Sequence, residues 1–151
     1  MPSSQTAERV NAPARGIASM PLAALIDAVV VTIFGLIGRA SHEEALSPVG
    51  IVQTLWPFLV GCAAGWSITY VYSHVRSNDF FGHNFRPDRV VPVGLVIWFC
   101  TVTVAMVVRY ILHQGIEASF IVVAATFLAI FLLGWRAAFA ALAKRSQRRD
   151  A

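Results

Sequence analysis

Four apolar runs, each long enough to cross a lipid bilayer and nearly free of charge, constrain this chain more than any other feature. They cover about residues 21–39, 49–72, 92–113 and 117–141. The hydrocarbon core of a bilayer takes roughly 20 helical residues. In lipid the backbone must satisfy its own polar groups, and an α-helix does so within one segment. The composition agrees with lipid as the solvent. Hydrophobic residues make up 57% of the chain and charged residues 13%, against roughly 25% charged in a soluble domain. The expected fold class is therefore all-α: a polytopic membrane protein with four transmembrane helices in an antiparallel bundle.

The expected domain organisation follows from the flanks. Residues 1–16 read as a disordered cytoplasmic tail, without the short apolar core of a secretory signal peptide. Residues 17–143 hold the four-helix transmembrane domain, and residues 144–151 form a basic cytoplasmic tail. The one long polar connection, about 73–91, interleaves His74, Arg76, Asp79, His83, Arg86, Asp88 and Arg89 with Phe80, Phe81 and Phe85. The phenylalanines suggest a segment lying on the membrane surface.

Charge sets the expected orientation. With four spans, both tails and the long connection share one side. That side carries Arg9, Arg15, Arg76, Arg86, Arg89, Lys144, Arg145, Arg148 and Arg149, whereas Arg39 and Arg109 stand toward the other. The positive-inside rule then makes both termini cytoplasmic.

Within the runs, small and polar residues are the informative ones. Asp27, Gly35, Gly38 and His42 fall within roughly 80° on a helical wheel. Such a stripe faces other helices, because small residues let backbones approach and acids avoid lipid. Gly61 and Gly65 form a G-x-x-x-G in the second run. The expected packing positions are Gly35, Gly38, Gly61, Gly65 and Gly134. Asp27 and Arg136 stand at similar depth in the first and fourth runs. They read as an ion pair, with two roles open: a lock between helices, the favoured role, or a carboxylate that couples to a proton or cation.

A second constellation lies at the opposite end. Arg39, His42, Gln53, Arg109 and His113 form the candidate ligand-binding set, at the level where the first and third runs end. Two guanidiniums can grip a carboxylate, a phosphate or a lipid headgroup in a forked geometry. The histidines could bind or relay protons. The plainer alternative pairs Arg39 with Glu43 and Arg109 with Glu117 locally. Cys62 and Cys100 each sit inside an apolar run without metal-ligand spacing. No phosphate loop, paired-cysteine motif or nucleophile–base set is present. No enzyme activity, cofactor, metal or nucleic acid is expected; the expected partners are the bilayer, other membrane subunits or a second copy of the chain.

Three strings carry a family resemblance: Gly38-Arg39-Ala40-Ser41-His42-Glu43, Trp56-Pro57-Phe58-Leu59-Val60-Gly61, and Phe131-Leu132-Leu133-Gly134-Trp135-Arg136. With Arg109 and Phe120 to Ala124, they make the chain resemble a small prokaryotic family of four-helix membrane proteins, domain of unknown function 3054, over about residues 24–139. The resemblance implies four spans in the inner membrane and adds no mechanism. Two functions are carried forward. The first is an accessory or structural subunit of a membrane complex. The alternative is a small oligomeric carrier of an anion or metabolite, using the Arg/His pocket.

Overall fold

The computed structural model describes residues 19–41, 47–77 and 85–149. Its elements are α1 (Met20–Ser41), α2 (Pro48–Ser77), a π-type turn over Val90–Gly94, α3 (Leu95–Ile111) and α4 (Ala118–Arg149). No strand occurs among the described residues, and four helices are long and apolar enough to cross a membrane. The all-α, four-span expectation holds. The expected tail at residues 1–16 lies outside the described residues.

Helices α1, α3 and α4 each turn one narrow stripe inward, and α2 buries a broader face. On α1 the buried positions are Ala23, Asp27, Val31 and Phe34; on α3 they are Ile97, Thr101 and Ala105. On α4 they are Ala124, Leu128, Leu132 and Arg136, an unbroken spacing of four. Side chains three and four apart share a helix face, so these stripes meet inside the bundle. The other faces are apolar and exposed, as at Leu25, Ile37, Val52, Phe99, Val122 and Ile130. Water would penalise that surface; lipid would not.

Contacts run in opposite order along neighbouring helices, which makes the neighbours antiparallel. Near its C-terminal end α1 meets the first turns of α2 through Arg39 and Thr54, and further back through Asp27 and Trp66. Gly61 approaches Thr101 while Gly65 approaches Ile97. Trp98 donates to the Ala125 carbonyl at 2.9 Å, tying α3 to α4. Arg136 returns to Asp27 and closes the ring of helices.

Glycine placement sorts the five packing candidates. A Cβ on Gly61 would lie 2.8 Å from the Thr101 carbonyl oxygen, and one on Gly65 would lie 2.7 Å from the Ile97 Cα. Gly35 is backed by the Leu55 side chain. Gly38 and Gly134 differ from expectation, since a Cβ at either would meet nothing within 4 Å among the described residues. Gly38 borders an open cleft, and Gly134 is exposed on α4, off the inward stripe. Gly94, which the sequence did not single out, packs against Arg136.

Two helix ends add detail to the apolar runs. Helix α4 continues to Arg149, through most of the segment expected to be a tail. Alanine, lysine and arginine are good helix formers, and cations near a C-terminus suit the helix dipole. Helix α3 stops at Ile111 in a Schellman closure: Gln114 N–H donates to the Arg109 carbonyl and His113 N–H to that of Tyr110. His113 takes φ 56° at the left-handed position of that motif.

Candidate functional site

Asp27 sits one turn along the inward stripe from Ala23, so its carboxylate enters the bundle instead of reaching for an edge. Arg136 occupies the same kind of position on α4, one turn beyond Leu132. Both side chains are 0% exposed. Their pairing is a fork: Arg136 Nη1 donates to Asp27 Oδ1 at 2.9 Å, and Nη2 to Oδ2 at 2.7 Å.

Charges removed from solvent need more than each other, and the remaining positions here are filled. Trp66 Nε1 donates to Asp27 Oδ2 at 3.0 Å and Trp135 Nε1 to Oδ1 at 2.9 Å. Each carboxylate oxygen thus accepts two bonds. On the cation, Nε donates to the Pro87 carbonyl at 3.0 Å and Nη1 also reaches the Leu132 carbonyl at 2.7 Å. The guanidinium carbon stands 4.4 Å from the Trp135 ring centroid. One cluster therefore joins α1, α2, α4 and the connector before α3. Phe85 adds to it, packing edge-on against Trp66 and Tyr70 at 5.9 and 5.7 Å.

Toward the other end, an aromatic layer follows. Phe34 meets Phe58 edge-on at 5.1 Å and Phe127 at 5.4 Å. Above it opens a cleft of about 410 Å³, lined by Arg39, Thr54, Arg109, Glu117 and Ser119 over Phe34 and Phe120. Arg39 Nη1 donates to Thr54 Oγ1 at 3.0 Å. Arg109 Nη2 donates to the Gln114 carbonyl at 3.1 Å, and its guanidinium lies 4.7 Å from the Phe120 ring centroid. Two guanidiniums against one carboxylate leave the described lining net positive.

The candidate ligand set divides here. Arg39 and Arg109 share the cleft. Gln53 and His113 do not line it, and both are exposed. Gln53 is one helical step from Thr54, which turns it roughly 100° away. The backbone of His113 closes α3, and its side chain is exposed, off the cleft. His42 lies outside the described residues, as do Glu43 and Glu44. No group of three or more His, Cys, Asp or Glu able to hold a metal occurs among the described residues.

The sequence reading missed Trp66, Trp135 and the Pro87 carbonyl. Tryptophan in a span suggests an interface, yet Trp66 follows the packing glycine Gly65 and Trp135 adjoins Arg136. A buried indole N–H needs an acceptor, and Asp27 is the acidic residue inside the first run.

Residues 24–139 match the family described as "Protein of unknown function (DUF3054)". No curated protein and no solved structure matches the chain.

Proposed function

The chain belongs to the DUF3054 family of unknown function, and from that footing we propose that it is a multi-pass membrane protein that binds a small anionic group, a carboxylate or phosphate, between Arg39 and Arg109. One observation carries this reading: guanidiniums from two different helices line one cleft. Arg39 comes from the last turn of α1 and Arg109 from the last turn of α3. Planar, permanently charged forks suit carboxylate and phosphate oxygens. Ser119 supplies a hydroxyl, and Phe34 and Phe120 wall the cleft with low-dielectric surface that strengthens the attraction. The cation excess at 76–89 and 144–149 supports an orientation with that cleft facing away from the cytoplasm.

The test is anion binding by purified protein in nanodiscs. Inorganic phosphate and short carboxylates are expected to raise the melting temperature of the wild-type protein. Hydrogen bonds to charged groups contribute about 1.5–3 kcal/mol, so Arg39→Gln or Arg109→Gln should weaken binding roughly 10- to 100-fold. Equal stabilisation of wild type and variants would sink the reading.

A second reading, an accessory subunit of a membrane complex, draws on the bonded Asp27–Arg136 cluster and the broad apolar faces. It makes a different demand: a detergent pull-down from native membranes should recover a stoichiometric partner protein.

A further inference from the structure

A second cavity of about 460 Å³ lies at the opposite end of the bundle, between the last turns of α2 and the start of α3. Its size falls within the roughly 300–1,000 Å³ of ordinary ligand sites. The walls are apolar: Ile68 from α2, and Pro92, Val93 and Val96 from the entry into α3. Thr69, also on the wall, donates its hydroxyl to the Gly65 carbonyl of its own helix at 2.9 Å, so it offers the groove little polarity.

The rim is cationic. Arg76, Arg86 and Arg89 line the cavity. Arg86 is forked onto Asp88, with Nε and Nη2 each at 3.1 Å from a carboxylate oxygen. Arg76 Nη1 donates to the Tyr72 hydroxyl at 2.7 Å, which is neutral and leaves the charge in place. Arg89 is exposed and makes no side-chain hydrogen bond or ion pair among the described residues. Charge is therefore concentrated at one end of a groove whose body is hydrocarbon-like. The groove opens between two helices that are long and apolar enough to span a bilayer, at the level where they end.

From this juxtaposition we propose that the groove binds one anionic phospholipid, its phosphate against Arg76 and Arg89 and an acyl chain along Ile68, Val93 and Val96. A soluble phosphate would use the rim and leave the apolar body empty. A zwitterionic lipid would fill the body but bring a headgroup cation beside its phosphate, which the arginines of the rim repel. Basic pockets between spanning helices are suited to anionic headgroups. The inference does not depend on the Arg39–Arg109 cleft, which lies at the other end of the bundle.

The experiment is lipid competition on purified, delipidated protein. Detergent micelles containing equal amounts of phosphatidylglycerol and phosphatidylcholine are offered, and bound lipid is counted by native mass spectrometry. Phosphatidylglycerol should be retained preferentially. An arginine near an anionic headgroup contributes about a five-fold preference, so Arg76→Gln and Arg89→Gln together should cut retention roughly 25-fold. Arg39→Gln with Arg109→Gln should leave it unchanged. A measurement on the unaltered chain stands beside these variants: phosphatidylglycerol with a photoreactive acyl chain should label the Ile68, Val93 and Val96 region. Equal retention of the two lipids, a preference that survives the double variant, labelling scattered elsewhere, or displacement of the lipid by inorganic phosphate would each overturn the proposal.

Discussion

Asp27→Ala is expected to cost the bundle about 3–5 kcal/mol, because removing one partner of a buried ion pair leaves the other charge uncompensated. Arg136 is 0% exposed and is held inside by its bonds to the Pro87 and Leu132 carbonyls. The carboxylate also holds the Trp66 and Trp135 indoles, and a stranded neutral donor costs about 1–3 kcal/mol. Asp27→Asn retains one amide oxygen as acceptor and should fall between wild type and alanine. The double variant Asp27→Leu with Arg136→Leu is the informative comparison. Replacing a whole buried pair by apolar groups can be neutral, but here two indole N–H groups and the Pro87 carbonyl lose their partners. The double variant should therefore recover only part of the loss, and adding Trp66→Phe and Trp135→Phe should recover more. Thermal unfolding in detergent, followed by circular dichroism and by monodispersity on size exclusion, reads all of these. A wild-type melting curve for Asp27→Ala would show that the pair does not hold the helices together.

The four helices were legible because their signal is a bulk property: length and apolarity, which lipid enforces residue by residue. Asp27 and Arg136 stood out for the same reason, as ionisable groups inside apolar runs. What surrounds them did not stand out. The Pro87 carbonyl carries no side-chain signature, and whether an indole sits at an interface or turns inward depends on helix rotation. Rotation also decided the cleft. Thr54 lines it and Gln53, one residue earlier, does not, a difference that a depth estimate cannot resolve. His113 was chosen by residue type, whereas its place was set by backbone closure at φ 56°. Glycines divide along the same line. A G-x-x-x-G selected Gly61 and Gly65 by spacing, but Gly38 and Gly134 had only their smallness to recommend them, and smallness alone does not say what is opposite.

That division gives the second large effect. Gly65→Ala should destabilise the bundle by about 1–3 kcal/mol, the usual range for overpacking a well-packed interior. Gly65→Val should exceed it. The reason is what a Cβ would strike: at Gly65 the Ile97 Cα at 2.7 Å, and at Gly61 the Thr101 carbonyl oxygen at 2.8 Å. These are backbone atoms of α3, so relief requires α2 and α3 to separate as rigid bodies. Separation would also open the contact near Thr101 and Ile97, two inward positions of α3. Gly35 offers a graded comparison, because its neighbour is the flexible end of Leu55, which can turn aside. Gly134→Ala is the control: among the described residues nothing lies within 4 Å of its Cβ position, and replacing a mid-helix glycine gains about 0.5–1 kcal/mol from backbone entropy. Unfolding midpoints in one detergent should therefore rank Gly134→Ala at or above wild type, Gly35→Ala below it, and Gly61→Ala and Gly65→Ala lowest. If Gly65→Ala and Gly134→Ala melted together, the close α2–α3 approach would not be the contact that sets helix spacing.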